Sequence, residues 1–565
     1  MTEPWWKKAV VYQIYPKSFL DTDGDGVGDL QGIIQKLDYL RELGVDILWI
    51  TPIYESPQRD NGYDISDYRR IHAAYGTMET FDTLLREAHA RDLKIVMDMV
   101  VNHTSTDHPW FQSARQSKAS PYRAYYIWRD QPNNWQSKFG GSAWAYDEGT
   151  GQYYLHLFDV TQADLNWENK ALREDVYRMM QFWLDKGVDG FRLDVINLIS
   201  KDQRFPDDTL ATPTDDGRKY YTDGPRIHEF LKEMNQRVFS RKPGFVTVGE
   251  MSSTSLQQCV KYTNPDEREL DMTFSFHHLK VDYPNGEKWV AAPFDFLRLK
   301  SLLDQWQTGM QEGGGWNALF WCNHDQPRIV SRFGDPERYH RESAKMLATS
   351  LHLLRGTPYI YQGEEIGMTN PGFDRIEQYR DVESINAYRR LLAEGKEESE
   401  VMAALKQKSR DNGRTPMQWD DSKHAGFTTG EPWIAVAPNY RDINVQRALA
   451  DQDSVFYHYQ RLIQLRKTYD VIAYGDYRGI LLDHPHVFAY LRTLGSDTVL
   501  VVNNFYAIDT TFTLPESMCA DGPSEILISN YKDTPNTPHQ LQLRPYESVA
   551  FLIRGTYEKQ STANL

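Results

Sequence analysis

The residues best suited to chemistry in this chain are acids that close apolar stretches. Gly190-Phe191-Arg192-Leu193-Asp194-Val195 reads as a short buried strand ending in a carboxylate. An extended strand points residues i and i+2 to one side, so Arg192 and Asp194 share a face and the guanidinium keeps the acid ionised. Taken alone, the pair reads equally well as an ion pair that closes a strand. Other stretches end alike: Asp98 and His103 close the third apolar run, Glu250 the fifth, and His324 with Asp325 the seventh. In a closed parallel barrel such strand ends converge on one mouth. Three acids there suit glycoside cleavage. One attacks the anomeric carbon, a protonated one assists the leaving oxygen, and further charge stabilises the oxocarbenium-like state. Three unrelated surface acids are the plainer alternative.

The elements that would position these acids alternate from the start. Strand patterns run from Val10 to Tyr15, Ile47 to Ile50, Lys94 to Val100, Gly190 to Asp194, Phe245 to Val248, Met272 to Phe276, Ala318 to Trp321 and Pro358 to Tyr361. Helical patterns lie between them, at Gly32 to Leu43, Met78 to Arg91, Leu172 to Lys186 and Arg226 to Phe239. Eight strands in a βα rhythm predict the α/β class, a (β/α)8 TIM barrel. The rhythm breaks between Asn102 and Asn169, a span rich in Trp, Tyr, Asn, Ser and Gly, which reads as an insertion after the third strand. A second irregular span is expected from Gly367 to Gly426. From about Arg478 short strands and turns predict a separate antiparallel β domain. The expected organisation is a barrel over 1–101 and 172–477, an inserted subdomain over 102–171 and a C-terminal β-sandwich over 478–565.

Bulk properties bound the partners. At 565 residues the chain exceeds one ordinary core. Its 15 Trp and 34 Tyr could serve as flat platforms for sugar rings as well as core. The net charge of −16 argues against nucleic acid and anionic membranes, and means that an anionic substrate needs a local basic patch. Cys259, Cys322 and Cys519 are odd in number, widely spaced and form no metal-ligand pattern, which predicts a cytoplasmic setting. No signal-peptide core and no membrane-spanning run is legible. No organic cofactor is implied, and a monomer is expected.

Four stretches together carry a resemblance. Asp98-Met99-Val100-Val101-Asn102-His103, Gly190 to Asp194, Val248-Gly249-Glu250 and Asn323-His324-Asp325, in this order and spacing, resemble the α-amylase family of glycoside hydrolases over essentially the whole chain. The resemblance implies Asp194 as nucleophile, Glu250 as general acid/base and Asp325 as transition-state stabiliser, with His103, Arg192 and His324 holding the sugar. It also implies retention of configuration through a covalent glycosyl-enzyme. Asp60-Asn61-Gly62-Tyr63-Asp64, Gln162-Ala163-Asp164-Leu165-Asn166 and Arg414-Thr415-Pro416-Met417-Gln418-Trp419 are similar to the exo-acting α-glucosidase branch. By that likeness Asp60 and Arg414 close the pocket on a terminal glucose and Tyr63 stacks beneath it. Ala163 stands where the branch usually has proline. Val195 resembles members that prefer α-1,6 or α-1,1 linkages. A non-catalytic, membrane-tethered sugar binder on the same body would be expected to lack part of the acid set and to carry a span, and neither applies.

Within the branch, Ser137 to Trp144, Tyr221 to Pro225, Gly249 to Ser255 and Phe274 to Tyr283 resemble the subfamily that hydrolyses α,α-trehalose 6-phosphate. The residues add a physical reason. Lys280 and Lys288, just beyond the sixth strand, could bind a sugar phosphate as point charges in an otherwise acidic protein, with Arg204 a weaker third candidate. Solvated surface lysines are the alternative, and an oligo-1,6-glucosidase or a sugar isomerase acting on neutral α-glucosides is the alternative function. Separately, Asp21-Thr22-Asp23-Gly24-Asp25-Gly26-Val27-Gly28-Asp29 alternates hard oxygen donors as a Ca²⁺ loop does. It begins like an EF-hand, but Gly32 stands in place of the closing Glu. The resemblance implies a structural Ca²⁺ held by Asp21, Asp23, Asp25, Asp29 and the Val27 carbonyl; an empty acidic turn is the alternative.

Overall fold

The computed structural model describes residues 3–209, 211–212, 215–518 and 522–554; Cys519 and the end of the expected C-terminal domain lie outside them. Eight parallel strands, β1 (Val11–Ile14), β2 (Ile47–Ile50), β3 (Lys94–Met99), β4 (Gly190–Leu193), β5 (Val246–Glu250), β6 (Met272–Phe274), β7 (Ala318–Leu319) and β8 (Thr357–Tyr361), lie in the order β6-β5-β4-β3-β2-β1-β8-β7. A parallel bridge from Thr273 to Asn317 joins the two ends of the sheet. This is the expected α/β barrel. Every strand residue except Lys94 is buried, as strands covered by helices outside and filled by side chains inside must be. Gly190 lets β4 and β5 approach: a Cβ there would sit 2.3 Å from the Val246 carbonyl oxygen.

Helix capping delivers the chain to the strands. The helix Lys170–Lys186 starts at Asn169, whose side chain accepts from the Ala171 and Leu172 N–H groups, and stops at Gly187 with φ +108°. Two expectations change. The single helix expected over Gly32 to Leu43 is two, Leu30–Gln35 and Leu37–Leu43, because the Lys36 N–H turns back to Ile33 and Ile34 and closes the first one early. The span expected to be irregular from Gly367 to Gly426 contains the helices Val382–Ala393 and Glu398–Lys408. Their charged composition hides the narrow buried stripe of Val401, Met402, Ala404 and Leu405.

After β3 the chain makes a short antiparallel pair, His103–Ser105 with Gln162–Asp164, and between them a three-stranded sheet of Trp128–Arg129, Trp144–Asp147 and Gln152–Leu155. The pair clamps the base of the insertion beside the acids. At the C-terminus, β9 (Asp476–Ile480), β10 (Val487–Leu494), β11 (Asp497–Asn504), β12 (Thr510–Thr513), β13 (Ser524–Ser529), β14 (Gln540–Leu543) and β15 (Ser548–Arg554) form a five-stranded antiparallel sheet, β9-β10-β11-β15-β13, and a β12-β14 pair. The two faces of β11 alternate. Val499 and Val501 join the barrel's core, while Leu500 and Val502 pack with Phe512 and Leu541 of the smaller pair. Arg492 fixes the docking by donating to the Leu353 and Gly475 carbonyls, each at 2.7 Å. Among the described residues no helix is long and apolar enough to cross a membrane.

Candidate active site

Strand register builds the floor of the site. It sets Arg192 of β4 directly opposite Asp98 of β3. Arg192 Nη1 donates to Asp98 Oδ1 at 2.8 Å and to Asp194 Oδ1 at 2.6 Å, and Nη2 lies 2.6 Å from Glu250 Oε2. One guanidinium thus ties together three strand-end acids, and its face rests on Trp49, 5.0 Å from the ring centroid. Trp49 Nε1 and the Tyr63 hydroxyl also donate to Asp98 Oδ2, at 3.2 and 2.9 Å. A buried charge cluster is tolerable only when its members are paired and hydrogen-bonded, and here every acid has a donor, with Arg192 Nε alone of the guanidinium nitrogens unpartnered. Val195 departs from the strand into the left-handed region, at φ +36°, rare for a β-branched residue. The turn aims its N–H at Glu250 Oε2, 3.1 Å away.

The acids are electrostatically unequal. Burial pushes Glu250 up to about 7, with Asp194 and Asp325 adding to the effect against Arg192. Burial also raises Asp194, to about 6, while Arg192 draws it down and a hydrogen bond from the Glu250 carboxyl draws it down further. Burial would raise Asp325 too, but His324, Arg410 and Arg414 outweigh it and hold that carboxyl well below the usual range. Gln13 Nε2 donates to His324 Nδ1 at 2.8 Å, which leaves the ring proton on Nε2, 3.2 Å from Asp325 Oδ2. Near neutral pH the cluster therefore offers a protonated Glu250 beside an ionised Asp194, with a permanently charged Asp325 nearby.

A cavity of about 510 Å³ opens over these groups and is lined by Asp60, Tyr63, His103, Asp194, Glu250 and Asp325. Tyr63 stacks on His324, ring centroids 5.1 Å apart and planes nearly parallel. His103 is buried and its pKa falls to about 4, so it is neutral. Arg192 and His324 are buried behind this lining, Arg192 on Asp194 and Glu250 and His324 beside Asp325. Arg414 departs from expectation. It donates to the His324 carbonyl at 2.8 Å and to Asp325 Oδ1 at 2.6 Å, fixing Asp325 from below. Arg410 is the residue that meets Asp60, with Nη2 at 3.1 Å from Oδ1, and it lines the cavity. The one-turn helix Asp411–Arg414 separates the two arginines and points them to different levels. Gln162, quoted above only as part of a motif, donates to Asp60 Oδ2 at 3.0 Å. Arg410 carried no sequence signal beyond standing four residues before Arg414.

Lys280 and Lys288 both line the same cavity, together with Lys138, Arg218 and Arg298, which sequence reasoning missed. Lys288 is paired with Glu383, at 2.7 and 2.8 Å. Lys280 has no acid within ion-pair distance among the described residues, and burial with the neighbouring Arg218 and Lys288 lowers its pKa to about 8. Arg204 does not belong here. Its side chain is 83% exposed and pairs with Asp202 at the surface, two residues away on the same loop.

In the acidic loop, Asp21, Asp23 and Asp29 bring carboxylate oxygens within 4.8 Å of one another. Asp25 is not in that group: it is exposed, and its Oδ1 accepts from the Val27 N–H at 2.8 Å. Three clustered hard oxygen donors fit a Ca²⁺ better than a softer metal. Asp29 doubles as the cap of the helix Leu30–Gln35, accepting from the Gly32 N–H.

Comparison with known proteins places the family. Residues 13–475 match the family model described as the alpha amylase catalytic domain, and 487–550 that of the alpha-amylase SusG C-terminal domain. The chain is similar to the trehalose-6-phosphate hydrolase of Bacillus subtilis (strain 168), 63% identical over 97% of this chain and 98% of that one. It is also similar to the oligo-1,6-glucosidase of Parageobacillus thermoglucosidasius, at 54% identity over 98% of this chain and 100% of that one. Among solved structures, the trehalose-6-phosphate hydrolase of Bacillus licheniformis superposes with a TM-score of 0.93 at 61% identity, covering 98% of this chain and 100% of that chain. With its barrel, its strand-end acids and the full-length match in agreement, the chain belongs to the α-amylase family.

Proposed function

We propose that this chain hydrolyses α,α-trehalose 6-phosphate to glucose and glucose 6-phosphate with retention at the anomeric carbon. Asp194 attacks C1 of the unphosphorylated glucose, and the C1–O bond to the other ring breaks as Glu250 gives its proton to the departing oxygen. The released glucose 6-phosphate leaves a glucosyl ester on Asp194. Glu250, now ionised, takes a proton from a water whose oxygen attacks C1, which frees glucose and restores both carboxyls. Asp325 keeps its charge throughout and stabilises the positive charge that develops on the ring. Asp60 and Arg410 offer an acceptor and donors to the hydroxyls of the glucose, and Tyr63 covers its apolar face.

The observation that carries this reading is that Lys280 and Lys288 line the cavity of the acids in a chain of net charge −16. The Bacillus relative named a trehalose-6-phosphate hydrolase supports it. A Ca²⁺ in the Asp21–Asp29 loop would be held by Asp21, Asp23 and Asp29 and would tie down that turn, with no part in bond cleavage. Free buried Cys259 and Cys322 support a cytoplasmic location. The test compares kcat/KM for trehalose 6-phosphate, trehalose and isomaltose. The expected preference for the phosphorylated sugar is about 10–100-fold, since one charge-assisted contact contributes about 1.5–3 kcal/mol. Faster turnover of isomaltose would replace this reading with the oligo-1,6-glucosidase one.

A further inference from the structure

Lys138 is a half-buried lysine with no ion-pair partner among the described residues. It sits on the hairpin of the insertion, where Gln136 bridges to Ser142 and the Lys138 N–H bonds to the Leu157 carbonyl at 2.8 Å. Its Nζ reaches Ser252 Oγ at 3.1 Å, two residues beyond Glu250, and lies 5.4 Å from the Tyr221 ring centroid. Among the described residues it has no acid within ion-pair distance. Three buried lysines do: Lys201 meets Asp164 at 3.0 Å, Lys345 meets Asp453 at 2.7 Å and Lys408 meets Asp282 at 2.6 Å, whereas Lys300 is satisfied by backbone carbonyls alone.

Two more cations face the same space. Arg218 lines the cavity and is gripped in a fork by Asp216, with Nε to Oδ1 at 2.8 Å and Nη2 to Oδ2 at 2.5 Å. The Lys138 and Arg218 segments are locked together: the Gln136 N–H donates to the Asp216 carbonyl at 3.0 Å, and Gly217, at φ +96°, packs where a Cβ would stand 2.4 Å from Trp135 Cγ. Lys280 arrives from the loop after β6. Burial and the neighbouring Arg218 hold the pKa of Lys138 down to about 7, with Lys280 adding to the effect against Asp216, which lines the same cavity, and Asp164. Like charges gathered in a half-buried space cost free energy unless a ligand brings the opposite charge.

We infer that Lys138 and Arg218 complete the seat for the 6-phosphate, so that the phosphate is gripped from three loops, those after β3, β4 and β6, and not by the β6 loop alone. This rests on the proposed substrate. A sugar phosphate near neutral pH carries between one and two negative charges and three oxygens that accept hydrogen bonds. Arg218, already oriented by Asp216, presents its remaining N–H groups, and Lys138 and Lys280 act as point charges from two other sides. Lys138 also reads the geometry of the general acid's loop through Ser252, which places the phosphate seat in register with the bond to be cut.

The test uses the full chain and four variants, Lys138→Met, Arg218→Gln, Lys138→Arg and Arg218→Lys. Each is assayed on trehalose 6-phosphate and on p-nitrophenyl α-glucoside, with inorganic phosphate as a competing anion. The expected result is a loss of kcat/KM on trehalose 6-phosphate of about 10–100-fold for Lys138→Met and Arg218→Gln, carried mainly by KM and at least ten times the loss on the aryl glucoside. Inhibition by inorganic phosphate weakens in parallel, and Lys138→Arg restores most of the activity. Arg218→Lys restores less, because the fork on Asp216 is lost. Equal losses on both substrates, or unchanged phosphate inhibition, overturn the inference and leave a merely structural role. If the unmodified protein itself fails to prefer the phosphorylated sugar, the proposed function falls instead, and the two failures are told apart by that control.

Discussion

Arg192 and Lys280 serve one cavity under opposite conditions. Arg192 meets three carboxylates within 2.8 Å, whereas Lys280 meets none among the described residues. On the floor each acid has its donors, so the reacting geometry is fixed before any substrate arrives. On the wall Lys288 and Arg218 have their acids, but Lys280 and Lys138 have none among the described residues, so an anion for those two has to come from outside. Saturated polar networks hold geometry, and unsatisfied ones define what will bind. Substitutions in the floor should therefore stop chemistry with little effect on anion binding, and those in the wall the reverse.

The largest effect expected is at the floor. Asp194→Asn removes the nucleophile, and kcat should fall about 10⁴-fold or more on every substrate. Glucose 6-phosphate should still compete for the cavity with a nearly unchanged inhibition constant. A large rise in that constant would mean that floor and wall are one unit, and the contrast drawn above would be lost. Next comes Arg192→Ala, which strands three buried acids without their shared counter-charge. A loss of about 3–5 kcal/mol in unfolding free energy is expected, far beyond the cost of an exposed ion pair. A melting temperature close to that of the parent protein would contradict the paired description of the floor.

The wall should respond differently. Lys280→Ala ought to lower kcat/KM on trehalose 6-phosphate by about 10–100-fold, and to do much less to a neutral aryl glucoside. Lys280 already lacks an acidic partner, so its removal leaves no carboxylate stranded and the melting temperature should barely move. Equal losses on both substrates would show that Lys280 shapes the cavity and does not read the phosphate.

The pH profile reports on the floor alone. Glycosyl transfer needs Asp194 ionised and Glu250 protonated. Asp194, raised to about 6, loses its charge as the pH falls, which gives the acid limb. Glu250, raised to about 7, loses its proton as the pH rises, which gives the alkaline limb. The two interact through Arg192 and directly, so the limbs belong to the pair. Glu250→Gln should erase the alkaline limb and keep the acid one. It should also spare a p-nitrophenyl glucoside more than the sugar phosphate, because that leaving group needs no proton. Survival of the alkaline limb in this variant would assign the proton to another group.

What was legible in the sequence follows the same division. The floor could be read because strand alternation and strand order place Arg192, Asp194 and Glu250 with almost no freedom, and the register of β3 and β4 then supplies Asp98. Lys280 and Lys288 were legible because they follow β6 closely. Lys138 and Arg218 were not: their meeting depends on a hairpin and a one-turn helix far apart in sequence, joined through Trp135 and Gly217. Arg414 was read at the wrong level because one helical turn separates it from Arg410, and residue type cannot say which of two arginines faces a cavity. Arg204 failed for the simplest reason, an acid two residues away on its own loop.

The smallest effect belongs to the acidic loop, where the question is whether clustered acids are closed by a cation or by the chain. Asp21 is heavily used by the chain already: Oδ1 accepts from the Asp23 and Gly24 N–H groups at 3.0 and 2.8 Å, and Oδ2 from that of Gly26 at 2.8 Å. Replacing Asp21 would therefore destabilise the loop with or without metal and decide nothing. Asp23 is the informative position, being exposed and accepting only one long bond, from the Asp25 N–H at 3.2 Å. If a Ca²⁺ is held here, millimolar Ca²⁺ should raise the melting temperature of the chelator-treated protein by a few degrees, as expected for up to about 2.7 kcal/mol at one hundred times the dissociation constant. Asp23→Asn should abolish that shift while leaving the metal-free melting temperature within about one degree of the parent's, because little backbone bonding is lost. A Ca²⁺ response that survives Asp23→Asn would move the cation elsewhere, and no response in the parent protein would make the loop self-sufficient, its acids closed by backbone N–H groups as the floor's are closed by Arg192.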